Sequence, residues 1–432
     1  MDQAHADPLR HYLSADAAQG SDDVLSPIDR ILDAVRGHLG MEIAFASRIH
    51  DGLREFTHIR ADCPVPVAPG VAEPLEQTLC QAVLDGRLPA LMHDASQHEA
   101  ALPMPITLAL PVGSHLNVPL TLSNGQVYGT FCCVSRVPDL TLTERDMATL
   151  RAFAQLAARQ IEGELDSQRD RTEVCGRINA VIAAETLTIL HQPIHELGSG
   201  RPVGVECLAR FADAATRGPD CWFAEAGAVG LGEELELLAV RAALRTLPHV
   251  PPHCYLAVNV SPETVIGGAL HALVAGASPE RLVIEVTEHN AVSDYAALSA
   301  QLQPLRAHAR IAIDDVGSGY AGLRHIVDLR PDILKLDMSL TRHVDTDPAR
   351  RALAHALVSF AREIGSTLVA EGIETEAERA VLARLGVPLA QGYLFSRPMP
   401  VVAAQQLLLG EREAEPLTVL PAAQPNRIAR RA

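Results

Sequence analysis

Beyond residue 187 the chain settles into one rhythm, and few folds accommodate it. Short runs of β-branched and other apolar residues stand at 188–192, 203–210, 255–260, 282–286, 310–314, 333–336, 367–370 and 389–392. Between most of them apolar residues recur at helical spacing, as in 233–247, 295–307, 350–364 and 376–385. Eight strands alternating with helices indicate an α/β fold, a (β/α)8 TIM-like barrel, which places its chemistry at the carboxyl ends of its strands.

Those ends are rich in oxygen-bearing side chains. Glu206 and Arg210 share one face of their strand, Asn259 closes the next, and Glu285 and Glu288 follow the one after. Then come Asp314 and Asp315, Lys335, Glu371 and finally Gln391. The Asp pair stands in R-I-A-I-D-D-V-G-S-G-Y. Successive side chains on a regular strand point to opposite faces, so two adjacent carboxylates converge only if the strand ends there, as Gly317 and Gly319 permit. Taken alone, Asp-Asp before Gly-Ser-Gly also reads as a turn cap. Consecutive strands each delivering such a group to one mouth argue for a site instead. Oxygen ligands without His or Cys among them suit Mg²⁺ or Mn²⁺ rather than zinc.

The 432 residues are enough for two or three domains, and 48% hydrophobic with 21% charged residues describes a soluble globular protein. A net charge of −17 argues against nonspecific binding of nucleic-acid polymers or anionic membranes. Between residues 100 and 135 there is no Asp, Glu, Lys or Arg, yet Pro103, Pro105, Pro111, Gly113 and Pro119 interrupt the segment too often for a membrane span. The eight cysteines show no C-x-x-C spacing, which suits reduced thiols in the cytoplasm, and vicinal Cys132 and Cys133 read as buried small hydrophobes rather than a redox pair. The N-terminus lacks the order of a signal peptide.

Before the barrel, residues 1–26 read as a flexible tail. A helix is expected at 27–39, strands at 41–49 and 56–59, a helix at 75–84, and strands at 116–122 and 127–134 joined by the hairpin turn Ser123-Asn124-Gly125. A helix at 143–161 runs on into a helical linker, 165–186. Its stripe of Met147, Leu150, Ala157, Ile161 and Leu165 resumes at Val174, Ile178 and Val181. That stripe suits either a partner helix in a homodimer or packing on its own domain. Residues 410–432 read as a second flexible tail.

Two resemblances follow from these residues. G-M-E-I-A-F-A-S-R-I-H-D-G and G-S-H-L-N-V-P-L-T-L-S-N-G-Q-V-Y-G-T-F-C-C-V-S make residues 27–164 look like a GAF domain, a module that binds small ligands or dimerises. The motif leaves the ligand open. His93, His98 and His115 are possible haem ligands, although isolated histidines are more often ordinary polar or core residues.

Residues 187–409 resemble the EAL-domain family of cyclic-di-GMP phosphodiesterases. The name-giving tripeptide stands as Glu206-Cys207-Leu208, with Gln192-Pro193-Ile194, Asn259-Val260-Ser261, Glu285-Val286-Thr287-Glu288, Asp314-Asp315-Val316-Gly317, Lys335-Leu336-Asp337, Glu371-Gly372-Ile373-Glu374-Thr375 and Gln391-Gly392-Tyr393 in order. The resemblance implies a barrel whose first strand is antiparallel to the rest. It implies two ions, Mg²⁺ or Mn²⁺, one held by Glu206, Asn259, Glu285 and Asp314, the second by Asp314, Asp315 and Glu371. Catalytic roles would fall to Glu206, Lys335, Glu371 and Asp315, substrate contacts to Gln192, Arg210 and Gln391, and loop tethering to Glu288. The implied reaction opens cyclic di-GMP to linear 5′-pGpG under control of the GAF-like domain. The alternatives are a silent cyclic-di-GMP receptor that relays occupancy to a protein partner, or another metal-dependent phosphohydrolase. Cys207, Phe211 and Val316 stand where the family usually has Ala, Trp and Phe.

Overall fold

The computed structural model describes residues 25–104, 112–212, 217–286, 294–317 and 323–410. Both expected tails, 1–26 and 410–432, fall almost wholly outside that range. The chain divides into two compact units, before and after residues 170/171.

The first unit opens with α1 (Pro27–Leu39), in which the Ser26 hydroxyl caps the Asp29 N–H at 3.1 Å and Gly40, at φ 66°, ends the helix. Strands β1 (Ile43–His50), β2 (Leu53–Ala61), β3 (Ala72–Pro74), β4 (Leu91–Met92), β5 (Ser114–Thr121) and β6 (Val127–Ser135) form one antiparallel sheet in the order β3-β2-β1-β6-β5-β4. Strand alternation sorts its side chains onto two faces. Ala44, Leu116, Val118, Phe131 and Cys133 pack with α1 and the start of α3 (Glu144–Ala184); Ile43, Phe45, Cys132 and Val134 pack with α2 (Leu79–Leu84). Within α3 the buried stripe runs from Met147 to Ile161, residues 166–173 are exposed, and burial resumes at Ile178. Among the described residues no helix is long and apolar enough to cross a membrane.

The second unit is a closed eight-stranded barrel. Its strands are β7 (Thr188–Glu196), β8 (Pro202–Arg210), β9 (Tyr255–Val260), β10 (Leu282–Val286), β11 (Arg310–Val316), β12 (Ile333–Leu336), β13 (Thr367–Ala370) and β14 (Leu389–Ala390). As expected, β7 runs antiparallel to both its neighbours, β8 and β14, while the other strands are parallel. Ile194, Tyr255, Ala257, Val283, Ala312, Ile333 and Val369 form a small apolar cluster of their own, the barrel floor. Alternate residues such as Val258, Ile284, Ile313, Leu334 and Leu368 join the larger core beneath the outer helices.

Two buried histidines lie on β7. Burial pushes His191 and His195 down to about 4. Unfolded chains take up these protons near the ordinary histidine value of about 6.5, whereas the barrel resists until about 4, so the unfolded state binds more protons in between. Stability should therefore fall as pH drops through that window, by roughly 3 kcal/mol per histidine. Urea denaturation at pH 7 and pH 4.5 checks this: the loss should be smaller in His195→Gln.

Candidate active site

The barrel floor sets the site's positions. Two residues beyond each floor residue, on the same face of its strand, stand Asn259 after Ala257, Glu285 after Val283, Asp314 after Ala312, Lys335 after Ile333 and Glu371 after Val369. Gln391 follows Leu389 likewise, and Glu206 follows Gly204, whose missing side chain makes room for the Tyr255 ring. On antiparallel β7 the count runs backwards, from Ile194 to Gln192, which pairs with Glu206 in the ladder. A single polar layer thus caps the floor.

Within that layer Lys335, 1% exposed, is the hub. Its Nζ lies 2.8 Å from Glu285 Oε2, 3.2 Å from Asp314 Oδ2, 2.6 Å from Glu371 Oε1 and 3.6 Å from Glu206 Oε1. Glu206 accepts from Asn259 Nδ2 at 2.8 Å and from Gln391 Nε2 at 2.6 Å, and Gln391 also donates to Gln192 Oε1 at 3.1 Å. Gln192 in turn donates to the Ser396 carbonyl at 3.2 Å. Arg210 sits at the end of β8, half-buried, donating to the Ala209 carbonyl at 2.8 Å. Glu288 lies outside the described residues.

The Asp pair converges differently from expectation. The strand does not stop at Asp314: β11 continues to Val316, with an irregularity in its register against β12 between Ile313 and Val316. Asp315 takes φ 55°, the left-handed region, which short polar residues tolerate better than bulky ones. That local twist places Asp315 beside Asp314 and Glu371 instead of on the opposite face. Asp314 Oδ1 accepts the Asp315 N–H at 2.9 Å. Gly317, at φ 108°, then turns the chain against Leu340, where a Cβ would lie 2.1 Å from the Leu340 side chain.

One ammonium faces four carboxylates here, and the balance shows in their proton affinities. Burial pushes Glu285 up to about 8, with Glu206 and Asp314 adding repulsion that Lys335 only partly offsets. Burial and the Asp314 charge hold Glu371 well above the usual carboxylate range. Burial also opposes ionisation of Glu206, but Lys335 and the Asn259 and Gln391 amides bring it below that range. Burial lowers Lys335, yet the surrounding carboxylates more than reverse this and keep it charged. Such an excess of buried negative charge calls for more cation.

Two groups of oxygens are arranged to take it. Single carboxylate oxygens of Glu206, Glu285 and Asp314 lie within 4.8 Å of one another, and so do those of Asp314, Asp315 and Glu371. The groups share Asp314. All-oxygen donor sets fit hard divalent ions.

Supporting residues went unassigned in the sequence. Asp337 caps the helix Met338–Thr341 by accepting the Ser339 N–H at 2.9 Å and hydrogen-bonds with Asp315. Glu236, on the helix Gly232–Leu244, accepts both the N–H and the hydroxyl of Ser261 at 2.9 Å, pinning the chain two residues past Asn259. Its signal was an acid among the apolar residues of a helix. Gly392 presses on the Ile373 backbone, where a Cβ would lie 2.2 Å from the Ile373 carbonyl oxygen. Gly392→Ala should therefore shift Gln391 and destabilise the barrel by about 1–3 kcal/mol, as read from its urea midpoint.

Comparison with known proteins agrees with this architecture. A model of the EAL domain matches residues 177–398, and a model of the GAF domain matches residues 23–162. The chain is 29% identical over 248 residues to the probable cyclic di-GMP phosphodiesterase PdeD of Escherichia coli K12, covering 54% of this chain and 46% of that protein. It is 30% identical over 275 residues to the cyclic di-GMP phosphodiesterase NbdA of Pseudomonas aeruginosa, covering 61% of this chain and 35% of that protein. The chain spans less than half the length of these curated relatives. Among solved structures, the EAL enzyme Bd1971 in its cAMP and cyclic-di-GMP bound form superposes with a TM-score of 0.54 over 85% of this chain and 93% of that one; at 18% identity it shows the fold alone.

Proposed function

Because the chain belongs to the EAL-domain family, we propose that its barrel is a phosphodiesterase that hydrolyses cyclic di-GMP to linear 5′-pGpG. The observation that carries this reading is the pair of carboxylate groups sharing Asp314 around Lys335. Glu206, Asn259, Glu285 and Asp314 would hold one Mg²⁺ or Mn²⁺, and Asp314, Asp315 and Glu371 a second. When bound, such ions make a water more acidic and screen the charge of a phosphodiester.

The chain's own groups do the rest. Lys335 brings a fixed positive charge and three donors to the centre, so it orients the attacking water and steadies charge developing on phosphorus. Glu371 and Asp315, grouped with Asp314 in the second oxygen set, would take up the proton that the water releases. Gln192 and Gln391 line the pocket through their mutual hydrogen bond, and Arg210 contacts a phosphate or base of the substrate.

The full chain incubated with cyclic di-GMP and Mg²⁺ or Mn²⁺ tests the reading, with products resolved by chromatography. Appearance of pGpG supports it. Binding without cleavage makes the barrel a receptor, and neither result assigns it another substrate. We read residues 27–164 as a regulatory domain joined by the linker 165–186 to the catalytic domain 187–409, in a cytoplasmic homodimer. Comparing the turnover of the full chain with that of residues 171–432 tests the regulation, and sedimentation tests the dimer.

A further inference from the structure

The first unit contains a reactive arrangement that hydrolysis does not use. Cys80, on α2, and Cys132, on β6, are both 0% exposed, and their sulfurs lie 3.6 Å apart. They come from elements 52 residues apart in the chain. Cys132 and Cys133 point to opposite faces of the sheet, so the vicinal pair is no redox pair, as expected; the sulfur that meets Cys132 belongs to Cys80.

The surroundings of the two sulfurs differ. Arg54, 2% exposed, donates from Nη1 to Cys80 Sγ at 3.0 Å, while Nη2 pairs with buried Glu73, and its guanidinium lies 4.2 Å from the Phe56 ring centre. Cys132 lies instead beside the Thr130 hydroxyl, at 3.6 Å. The hydrogen bond from Cys132, and after it the Arg54 charge, hold the Cys80 thiol well below its ordinary value against the effect of burial. Burial and the neighbouring Cys80 push Cys132 well above its own. One sulfur is prepared as a nucleophile and the other keeps its proton.

Cys80 also lines a cavity. This mostly apolar space of about 30 Å³ has Arg54, Phe56, Val65, Val67, Cys80 and His115 among its lining residues. His115 Nδ1 has no hydrogen-bond partner among the described residues. The space takes about two water-sized molecules, enough for a small hydroperoxide.

We propose that Cys80 and Cys132 are a peroxide-oxidisable dithiol, in which Cys80 reduces a small hydroperoxide and Cys132 then closes a disulfide. In the first step the Cys80 thiolate attacks the hydroperoxide, the O–O bond breaks, and Cys80 becomes a sulfenic acid; the departing alkoxide or hydroxide takes a proton from solvent. In the second, the Cys132 sulfur attacks that of Cys80, and the S–O bond breaks. Hydroxide leaves with the Cys132 proton as water. Two thiols supply the two electrons that the hydroperoxide accepts. Closing the bond brings the sulfurs from 3.6 Å to about 2.05 Å.

The test uses the full chain, reduced, then exposed to a few equivalents of hydrogen peroxide, denatured in an alkylating agent and mapped by mass spectrometry. The expected result is a peptide linked through Cys80 and Cys132, formed about tenfold faster than exposed Cys221 is oxidised. In Cys132→Ser the reaction should halt at a sulfenic acid on Cys80 that a 1,3-dione captures. A wild-type chain that yields no Cys80–Cys132 peptide, or that loses Cys221 before Cys80, overturns the proposal, and that outcome does not depend on any variant folding.

Discussion

Glu206→Ala should abolish hydrolysis of cyclic di-GMP, lowering kcat by about a thousandfold or more. Glu206 links three other members of the polar layer. It receives the amides of Asn259 and Gln391, and it lies 3.6 Å from the Lys335 ammonium. Alanine removes a proposed cation ligand and takes from half-buried Asn259 the acceptor that aims it, while Gln391 keeps only its bond to Gln192. Glu206→Gln separates the effects, because it keeps the shape while removing the charge. Calorimetric titration with Mn²⁺ should show weakened binding in both variants. Wild-type turnover in Glu206→Ala would remove the assignment of this site.

The second large effect is expected at Lys335. Lys335→Met keeps most of the side-chain volume but withdraws the only ammonium from among Glu206, Glu285, Asp314 and Glu371. Removing one partner of a buried ion pair typically costs about 3–5 kcal/mol, since the remaining charges are left uncompensated. The variant should therefore unfold at markedly lower urea concentration in chelator, and millimolar Mg²⁺ or Mn²⁺ should restore part of the difference. Turnover should remain low even with metal, because the donor aimed at the reacting group is gone. Unchanged stability in chelator would mean that the carboxylates are already neutral without Lys335.

Much of the barrel was legible because its strands are short buried runs bounded by loops. The strands Tyr255–Val260, Leu282–Val286, Ile333–Leu336 and Thr367–Ala370 stand at their expected limits. Elsewhere local chemistry misled. Pro193 reads as the end of a strand, yet β7 carries it in mid-strand opposite Val205 and continues to Glu196. The last strand was expected to reach residue 392 but stops at Ala390, since Gln391 and Gly392 leave the ladder to meet Ile373. In the first unit, β3 and β4 are too short to show any period. The acids of the site could be named from strand position alone. The left-handed turn at Asp315 could not, because period-two alternation does not encode a local twist. Nor could the bonds from Lys335 to Glu206 and Glu285, which come from strands that do not neighbour β12.

No two successive strands suffice to assemble either oxygen cluster, because Glu371 must arrive from β13's end and Glu206 from β8's. A half-built cylinder has no pocket for a divalent ion, so mass action couples ion concentration to the population of sealed molecules. Where the proposed ions bind, their concentration would then set how much of the protein survives heat and proteolysis.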